Sequence, residues 1–191
     1  MIHHLRPLCI IFLALVASTS TRAGEYYNSS GIDTYDPVSG IYYKSITTET
    51  KKEGLLSSSS RQRVTNINIF DPTDGSSRVL FSQLITGRIT AVCFESGFKD
   101  GAIQFNDDFR NCTAKNNQSL TKRELKDKLL TGVELPDGKG TELFVSDKRG
   151  KNLRRIASVP ADASWHIDVR NSKLRIVNQV GPHLKIQNHD W

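Results

Sequence analysis

Residues 143–177 read "LFVSDKRGKNLRRIASVPADASWHIDVRNSKLRIV" and form the most regularly patterned stretch of the sequence. Short apolar runs alternate here with polar turns, and each run has the two-residue period and the β-branched content of a strand. The turns fall at Asp-Lys-Arg-Gly (147–150) and Arg-Asn-Ser-Lys (170–173), residue types that favour reversal of the chain. The stretch therefore predicts successive strands, either as one unit of a repeat or as two adjacent hairpins.

The same pattern extends to both sides of this stretch. "VTNINIF" (64–70) alternates like a half-buried strand, "DPTDG" (71–75) turns the chain, and "SSRVLFSQL" (76–84) returns it. Further strands are predicted within "YYKSI" (42–46), "RITAVCFES" (88–96), "GAIQFND" (101–107) and "HLKIQN" (183–188). We therefore expect an all-β, mainly antiparallel fold.

One segment, "SLTKRELKDKLLTG" (119–132), has a different pattern. Thr121 and Glu124 have the spacing of a capping box, and Leu125, Leu129 and Leu130 share one helical face. Gly132 can end a helix in the left-handed conformation. We expect one short helix of about nine residues here, inserted between strands.

Three Asp-containing turns have similar surroundings: "TYDPVSGIYYKSI", "IFDPTDGSSRVLF" and "FVSDKRGKNLRRI". Their Asp residues, 36, 71 and 147, are 35 and then 76 positions apart, close to one and two units of about 37 residues. Such a period is typical of β-propeller blades.

Residues 143–177 resemble the WD40-like repeat of TolB-type β-propellers. The positions that fit this repeat are Phe144, Val145, Asp147, Gly150, Leu153, Ile156 and Trp165. Residues 168–173 depart from it, since Asp-Val-Arg-Asn-Ser-Lys replaces the usual Ser-Pro-Asp-Gly-Lys. The resemblance implies propeller-like repeats and envelope proteins as partners; the residues alone leave a β-sandwich or a small barrel open.

The N-terminal residues 1–23 have the pattern of an export signal. The apolar run "LCIIFLALVA" (8–17) is too short to span a bilayer, and "TRA" (21–23) fits a cleavage site after Ala23. We expect a periplasmic or secreted protein without a transmembrane segment in the mature chain. A flexible segment is predicted for 24–34 and a single β-rich domain for 35–191.

The chain carries a mild basic excess. Its formal net charge of +6 falls to +4 when Arg6 and Arg22 are removed with the signal. The densest basic cluster consists of Lys148, Arg149, Lys151, Arg154 and Arg155. Such a cluster is either a solvated surface or a site for an anionic polymer, and no nucleic-acid motif accompanies it.

Two cysteines, Cys93 and Cys112, remain after the signal is removed. In an oxidising compartment they predict one disulfide, which would close a loop of about 20 residues and contribute roughly 3 kcal/mol. A buried pair of thiols is the alternative.

His166 and Asp168 lie two positions apart in "WHID" and would share one face of a strand. The pair has two interpretations. It is either half of a catalytic or metal site, to which His183 or His189 adds ligands, or a pair of ordinary surface residues. Trp165 and Trp191 are candidate interaction anchors, because Trp is enriched in interface hot spots. Trp165 also fits a core position, and Trp191 can dock on the domain or contact a partner.

No nucleophile elbow, phosphate loop or zinc-protease motif occurs in the sequence. We therefore expect an exported, non-catalytic, β-rich protein that binds an envelope or secreted protein as a scaffold or inhibitor, with no cofactor, no metal and no nucleic acid. The alternatives are a secreted hydrolase or effector with a site near His166 and Asp168, or a module for an anionic polymer.

Overall fold

The computed structural model describes residues 33–51, 60–106, 114–115 and 123–191. Almost all regular structure in these residues is β-strand, and most neighbouring strands are antiparallel. The fold class predicted from the sequence is thereby confirmed. The predicted signal peptide, residues 1–23, lies outside the described residues.

Fourteen strands are described, and twelve of them form three four-stranded sheets. Sheet I has the order β1-β2-β3-β4, with strands β1 (Asp33–Tyr35), β2 (Tyr42–Lys51), β3 (Ser60–Asp71) and β4 (Ser76–Val79). Sheet II has the order β11-β10-β9-β5, with strands β5 (Arg88–Cys93), β9 (Leu129–Glu134), β10 (Thr141–Ser146) and β11 (Arg154–Val159).

Sheet III has the order β14-β13-β12-β8, with strands β8 (Ala114–Lys115), β12 (Ser164–Asp168), β13 (Lys173–Val180) and β14 (His183–Asp190). Its β8 and β12 are parallel. The last two strands, β6 (Glu95–Lys99) and β7 (Ala102–Phe105), form a separate hairpin. Among the described strands, no sheet closes on itself.

Sheet II lies between the other two sheets. One of its faces contributes Val92, Leu129 and Val133 to a core shared with Tyr43 and other residues of sheet I. The opposite face contributes a second set, which packs with sheet III: Cys93, Leu130, Leu143, Val145 and Val159. Both faces of sheet II therefore carry buried apolar side chains, one set in each core.

The quoted stretch 143–177 forms two hairpins in two different sheets. β10 and β11 pair in sheet II, and β12 and β13 pair in sheet III. The hairpin predicted around "DPTDG" is confirmed as β3 and β4, in which Asp71 accepts the N–H of Thr73 at 2.9 Å.

The helix predicted within 119–132 is wrong over the described part of that segment. Residues 123–128 are not helical, and Leu129, Leu130 and Gly132 lie in β9. Tertiary packing explains the difference, because Leu129 and Leu130 point to opposite faces of sheet II and each fills one of the two cores. A helix would put both on one face. The helix that the structure does describe is a single 3₁₀ turn, Pro136–Gly138.

The boundary predicted at residue 35 lies two residues too late. Asp33 and Thr34 already belong to β1, where they pair with Lys44 and Tyr43. Thr34 is buried, so this end of the predicted flexible segment is part of the domain.

Candidate functional site

The basic cluster of the 147–155 turn does not form one surface. Lys148 is only 3% exposed, and its ammonium donates to Asp36 Oδ2 at 2.8 Å and to the carbonyl of Glu95 at 2.6 Å. It also lies 5.5 Å from the ring centroid of Phe94. Lys148 therefore cannot bind an external polymer, and the interpretation of this residue as a surface ligand contact is wrong.

Two arginines of the same cluster are held in ion pairs. Arg149 donates to Asp71 at 2.5 Å, and Arg155 donates to Glu142 at 2.5 Å. The pKa of Asp71 lies below its usual range. The main cause is the backbone N–H of Thr73, which donates to this carboxylate, and the ion pair with Arg149 adds to the effect. Lys151 and Arg154 are exposed. Of the five basic residues in the predicted cluster, Lys151 and Arg154 are thus the two that are exposed and form no ion pair with another described residue.

Lys148 and Arg149 bring together the three turns that resemble one another in sequence. Both residues follow Asp147, and they reach Asp36 and Asp71, which begin the other two turns. Asp147 accepts the N–H of Lys151 at 2.7 Å and closes its own turn. The three similar turns therefore meet at one polar corner of the molecule, between sheets I and II.

Trp191 is an interior residue and is not offered to a partner. It is 2% exposed, and its indole N–H donates to Glu95 Oε1 at 2.9 Å. Glu95 is fully buried and also accepts two bonds from the Arg123 guanidinium, at 2.6 and 2.8 Å. The N–H of Lys126 donates to it at 2.8 Å. Of the two placements left open by the sequence, Trp191 adopts the docked one.

His166 and Asp168 share one face of β12, as their spacing predicts. Asp168 accepts bonds from Arg175 at 2.7 Å and from the Asn171 amide at 2.8 Å. Burial would raise the pKa of Asp168, but these donors outweigh it and keep the pKa below its usual range. His166 lies opposite Arg175 in the register. This face of β12 therefore carries an ion-paired carboxylate beside a histidine. Neither residue lines the cavity of about 490 Å³ beside sheet I or the cavity of about 450 Å³ on the far side of sheet II.

His183 and His189 lie at opposite ends of β14 and do not approach each other along the strand. In the described residues no group of three or more His, Cys, Asp or Glu side chains is arranged to hold a metal. Cys93 is buried in the core between sheets II and III. Cys112 lies outside the described residues, so the disulfide stays a prediction.

A row of exposed aromatic rings crosses sheet I, and we call it the aromatic face. It consists of Tyr35 in β1, Tyr42 in β2 and Phe70 in β3, which are direct cross-strand partners. The ring centroids of Tyr35 and Tyr42 are 4.7 Å apart, and those of Tyr42 and Phe70 are 6.3 Å apart. The three residues are 47%, 51% and 40% exposed.

Strand alternation explains why these rings face solvent. Ile67 and Ile69 are buried on the inner face of β3, so Phe70 points outward. Tyr43 is buried in the same way and leaves Tyr42 on the outer face. Three adjacent aromatic side chains on an open sheet face have no structural need to stay exposed, since folding gains from burying such rings.

The surroundings of the aromatic face are mixed. Lys44 and Asn68 lie one outward position farther along their strands, and Ser77 on β4 lies opposite Phe70. Val38 and Val79 are exposed nearby on the adjoining turn and strand. A cavity of about 490 Å³ adjoins the two tyrosines and runs toward β7, where Phe105 and the buried Asn106 line it. An aromatic centre is thus surrounded by charged and amide groups.

The sequence contains a local signal for this face. Tyr35 and Phe70 each stand directly before an Asp-Pro pair, at 36–37 and 71–72. The two turns therefore place an aromatic residue at the same outward position of two different strands.

The chain matches no protein-family profile, no curated protein and no solved structure. Within the described residues, no helix has both the length and the apolar character needed to cross a lipid bilayer.

Proposed function

We propose that this chain is a non-catalytic binding protein whose aromatic face docks a protein partner in the periplasm or outside the cell. The observation that carries the proposal is the row Tyr35, Tyr42 and Phe70, with rings exposed side by side on three neighbouring strands. Protein interfaces are enriched in tyrosine and other aromatic residues at their centres and have polar rims. The aromatic face has such an aromatic centre, and the charged and amide groups around it form a polar rim.

The ring orientations favour a protein partner over a flat polymer surface. Tyr35 and Tyr42 are tilted by 43°, and Tyr42 and Phe70 by 50°. Rings tilted in this way form ridges and clefts, which can admit apolar side chains of a partner. A flat stacking platform would need the rings to lie nearly in one plane.

The N-terminal sequence supports the location. An apolar run at 8–17 followed by "TRA" at 21–23 is the pattern of a cleaved export signal, so the partner would be met in the envelope or outside the cell. Mass determination of the intact protein recovered from the envelope or medium tests this step. A chain that begins at Gly24 agrees with it, and recovery of the uncleaved chain from the cytoplasm contradicts it.

The partner is tested by comparing variants in one capture experiment. The tagged wild type, Tyr42→Ala and Leu184→Ala proteins are incubated with an envelope and secreted extract, and the retained proteins are quantified. Leu184 is the matched control, because it is an exposed apolar residue on sheet III. Truncation of a hot-spot ring costs at least about 2 kcal/mol, so Tyr42→Ala should retain the partner with at least tenfold lower affinity.

The result that supports the proposal is one partner retained in proportion by the wild type and by Leu184→Ala, and lost with Tyr42→Ala. The affinity of the purified partner for each protein then gives the same ranking. Equal retention by Tyr42→Ala and the wild type would contradict the use of this face. Retention of a polysaccharide with no protein would contradict the class of partner.

A further inference from the structure

A second cavity lies on the far side of sheet II, away from the aromatic face. It is an open cleft with a volume of about 450 Å³, lined by β5, β9, β10, the end of β11, the start of β12 and the two loops 135–140 and 160–163. This volume falls within the range of sites for small molecules. Trp165 lines one wall and also packs against the core between sheets II and III.

Small residues keep this cavity open. Gly138, Gly140, Ala161 and Ala163 line it and contribute no bulk. Gly140 has a φ of +120°, and a Cβ there would lie 2.2 Å from the carbonyl oxygen of Val159. Only glycine allows the loop to approach β11 this closely, so the backbone itself fixes the shape of the wall.

The lining has aromatic, hydroxyl and carboxylate groups but little net charge. Thr141 and Ser164 offer hydroxyls, and Glu134 is the charged side chain among the described lining residues. Arg88 neutralises this carboxylate by donating to Oε2 from Nε at 2.9 Å, with its second nitrogen at 2.8 Å. A charged ligand would find no opposite charge left unpaired among these residues, so the site favours an uncharged one.

We infer that this cavity binds an uncharged, hydroxyl-rich ligand of sugar size. The ligand's flat C–H face rests on Trp165, because an indole ring offers a large apolar surface to such a face. Its hydroxyls bond to Thr141, Ser164 and Glu134, since hydroxyl groups both donate and accept. This site is independent of the aromatic face and of the protein partner proposed for it.

The chain's two tryptophans make the site directly observable. Trp191 is buried, so a ligand that enters the cavity changes the fluorescence of Trp165. The full chain is titrated with glucose, galactose, mannose and N-acetylglucosamine, each up to about 10 mM, a range that covers weak affinities. Inorganic phosphate and choline serve as charged probes. We expect a saturable change with at least one sugar and none with either ion.

Two variants locate the response. Ala161→Phe places a ring at an exposed lining position and should weaken sugar binding at least tenfold, whereas Leu84→Phe adds the same ring at a site that is 82% exposed and away from the cavity. Calorimetric titration of Trp165→Phe should show the same loss without relying on fluorescence. Tyr42→Ala should bind the sugar as the wild type does, which separates this site from the aromatic face.

Three results would overturn the inference: no saturation with any of the four sugars, equal affinity in Ala161→Phe and Leu84→Phe, or tighter binding of choline or phosphate than of every sugar. Circular dichroism of each of these variants before titration ensures that a loss of binding is not a loss of fold.

Discussion

The ammonium group of Lys148 lies 2.8 Å from the Oδ2 atom of Asp36, although 112 residues separate the two in the chain. Their side chains are 4% and 0% exposed. Asp36 also accepts the Ser39 hydroxyl at 2.5 Å, and Lys148 also donates to the carbonyl of Glu95. Each charge is thus buried, hydrogen-bonded and dependent on the other.

Replacing one member of this pair should be costly. Lys148→Met leaves the Asp36 carboxylate buried without its cation, and the free energy of unfolding should fall by about 3 to 5 kcal/mol. Arg155→Met, which breaks the exposed pair with Glu142, is the control and should cost no more than about 1 kcal/mol. Urea unfolding of the three proteins measures both values. Similar losses for the two variants would show that the buried pair contributes no more to the free energy of unfolding than the exposed pair does.

Acid should unfold the protein through Glu95. Burial would raise its pKa, but Arg123, the N–H of Lys126 and the Trp191 indole outweigh burial and place the pKa below its usual range. A carboxyl whose folded pKa is lowered stabilises the fold fully above its unfolded pKa, near 4.3, and loses this contribution as pH falls through the folded pKa. The free energy of unfolding should therefore be level above about pH 5 and decrease below it.

Trp191→Phe provides the variant for this prediction, because it removes one donor to Glu95 and keeps a ring in the core. Its acid unfolding midpoint, followed by circular dichroism, should move to higher pH than that of the wild type. Ser77→Ala, at an exposed position on β4, should leave the midpoint unchanged. An unshifted midpoint in Trp191→Phe would show that the indole bond does not lower the pKa of Glu95.

Two glycines with positive φ should respond very differently to alanine. At Gly75 a Cβ meets nothing within 4 Å, so Gly75→Ala bears only the cost of its φ of +68°, about 1 kcal/mol. At Gly140 the Cβ also meets the carbonyl of Val159, so Gly140→Ala should lose about 3 kcal/mol or more. Thermal unfolding measures the two losses. Equal shifts in Tm would show that the loop 135–140 can move away from β11.

The predicted disulfide can be examined by peptide mapping without reduction. A peptide joining Cys93 to Cys112 is expected, and reduction should lower the free energy of unfolding by about 3 kcal/mol because a loop of about 20 residues is released. Alkylation of both thiols only after unfolding without a reductant, and no linked peptide, would favour the alternative of two buried thiols.

Local patterns in the sequence predicted those strands that are joined by a nearby turn with clear turn residues. The turn after Phe70 and the alternation of Ile67 and Ile69 define the β3–β4 hairpin, and these signals lie within a few residues of one another. The successive strands predicted in residues 143–177 and the strand predicted in 183–188 are also found, as β10 to β13 and as β14. Short-range turn chemistry and side-chain period are sufficient for such elements.

The errors have a common physical origin in contacts between distant residues. Leu125, Leu129 and Leu130 fit a helical face, but the two cores on either side of sheet II require Leu129 and Leu130 on opposite faces. Lys148 looked like a surface cation because its partner, Asp36, lies in another turn far away in the chain. The cross-strand register that joins Tyr35, Tyr42 and Phe70 is likewise invisible to a local pattern.

The burial of Asp36 sets an order on the assembly of the molecule. A ribosome releases Asp36 and the strands of sheet I long before it releases Lys148, since synthesis proceeds from the N-terminus. Until 112 further residues have been added, the Asp36 carboxylate has no cation and retains its hydration. The corner of sheet I around this carboxylate can therefore close only late. Until then the nascent chain exposes the apolar inner face of sheet I, and this is the stage at which binding of a chaperone would protect the chain most.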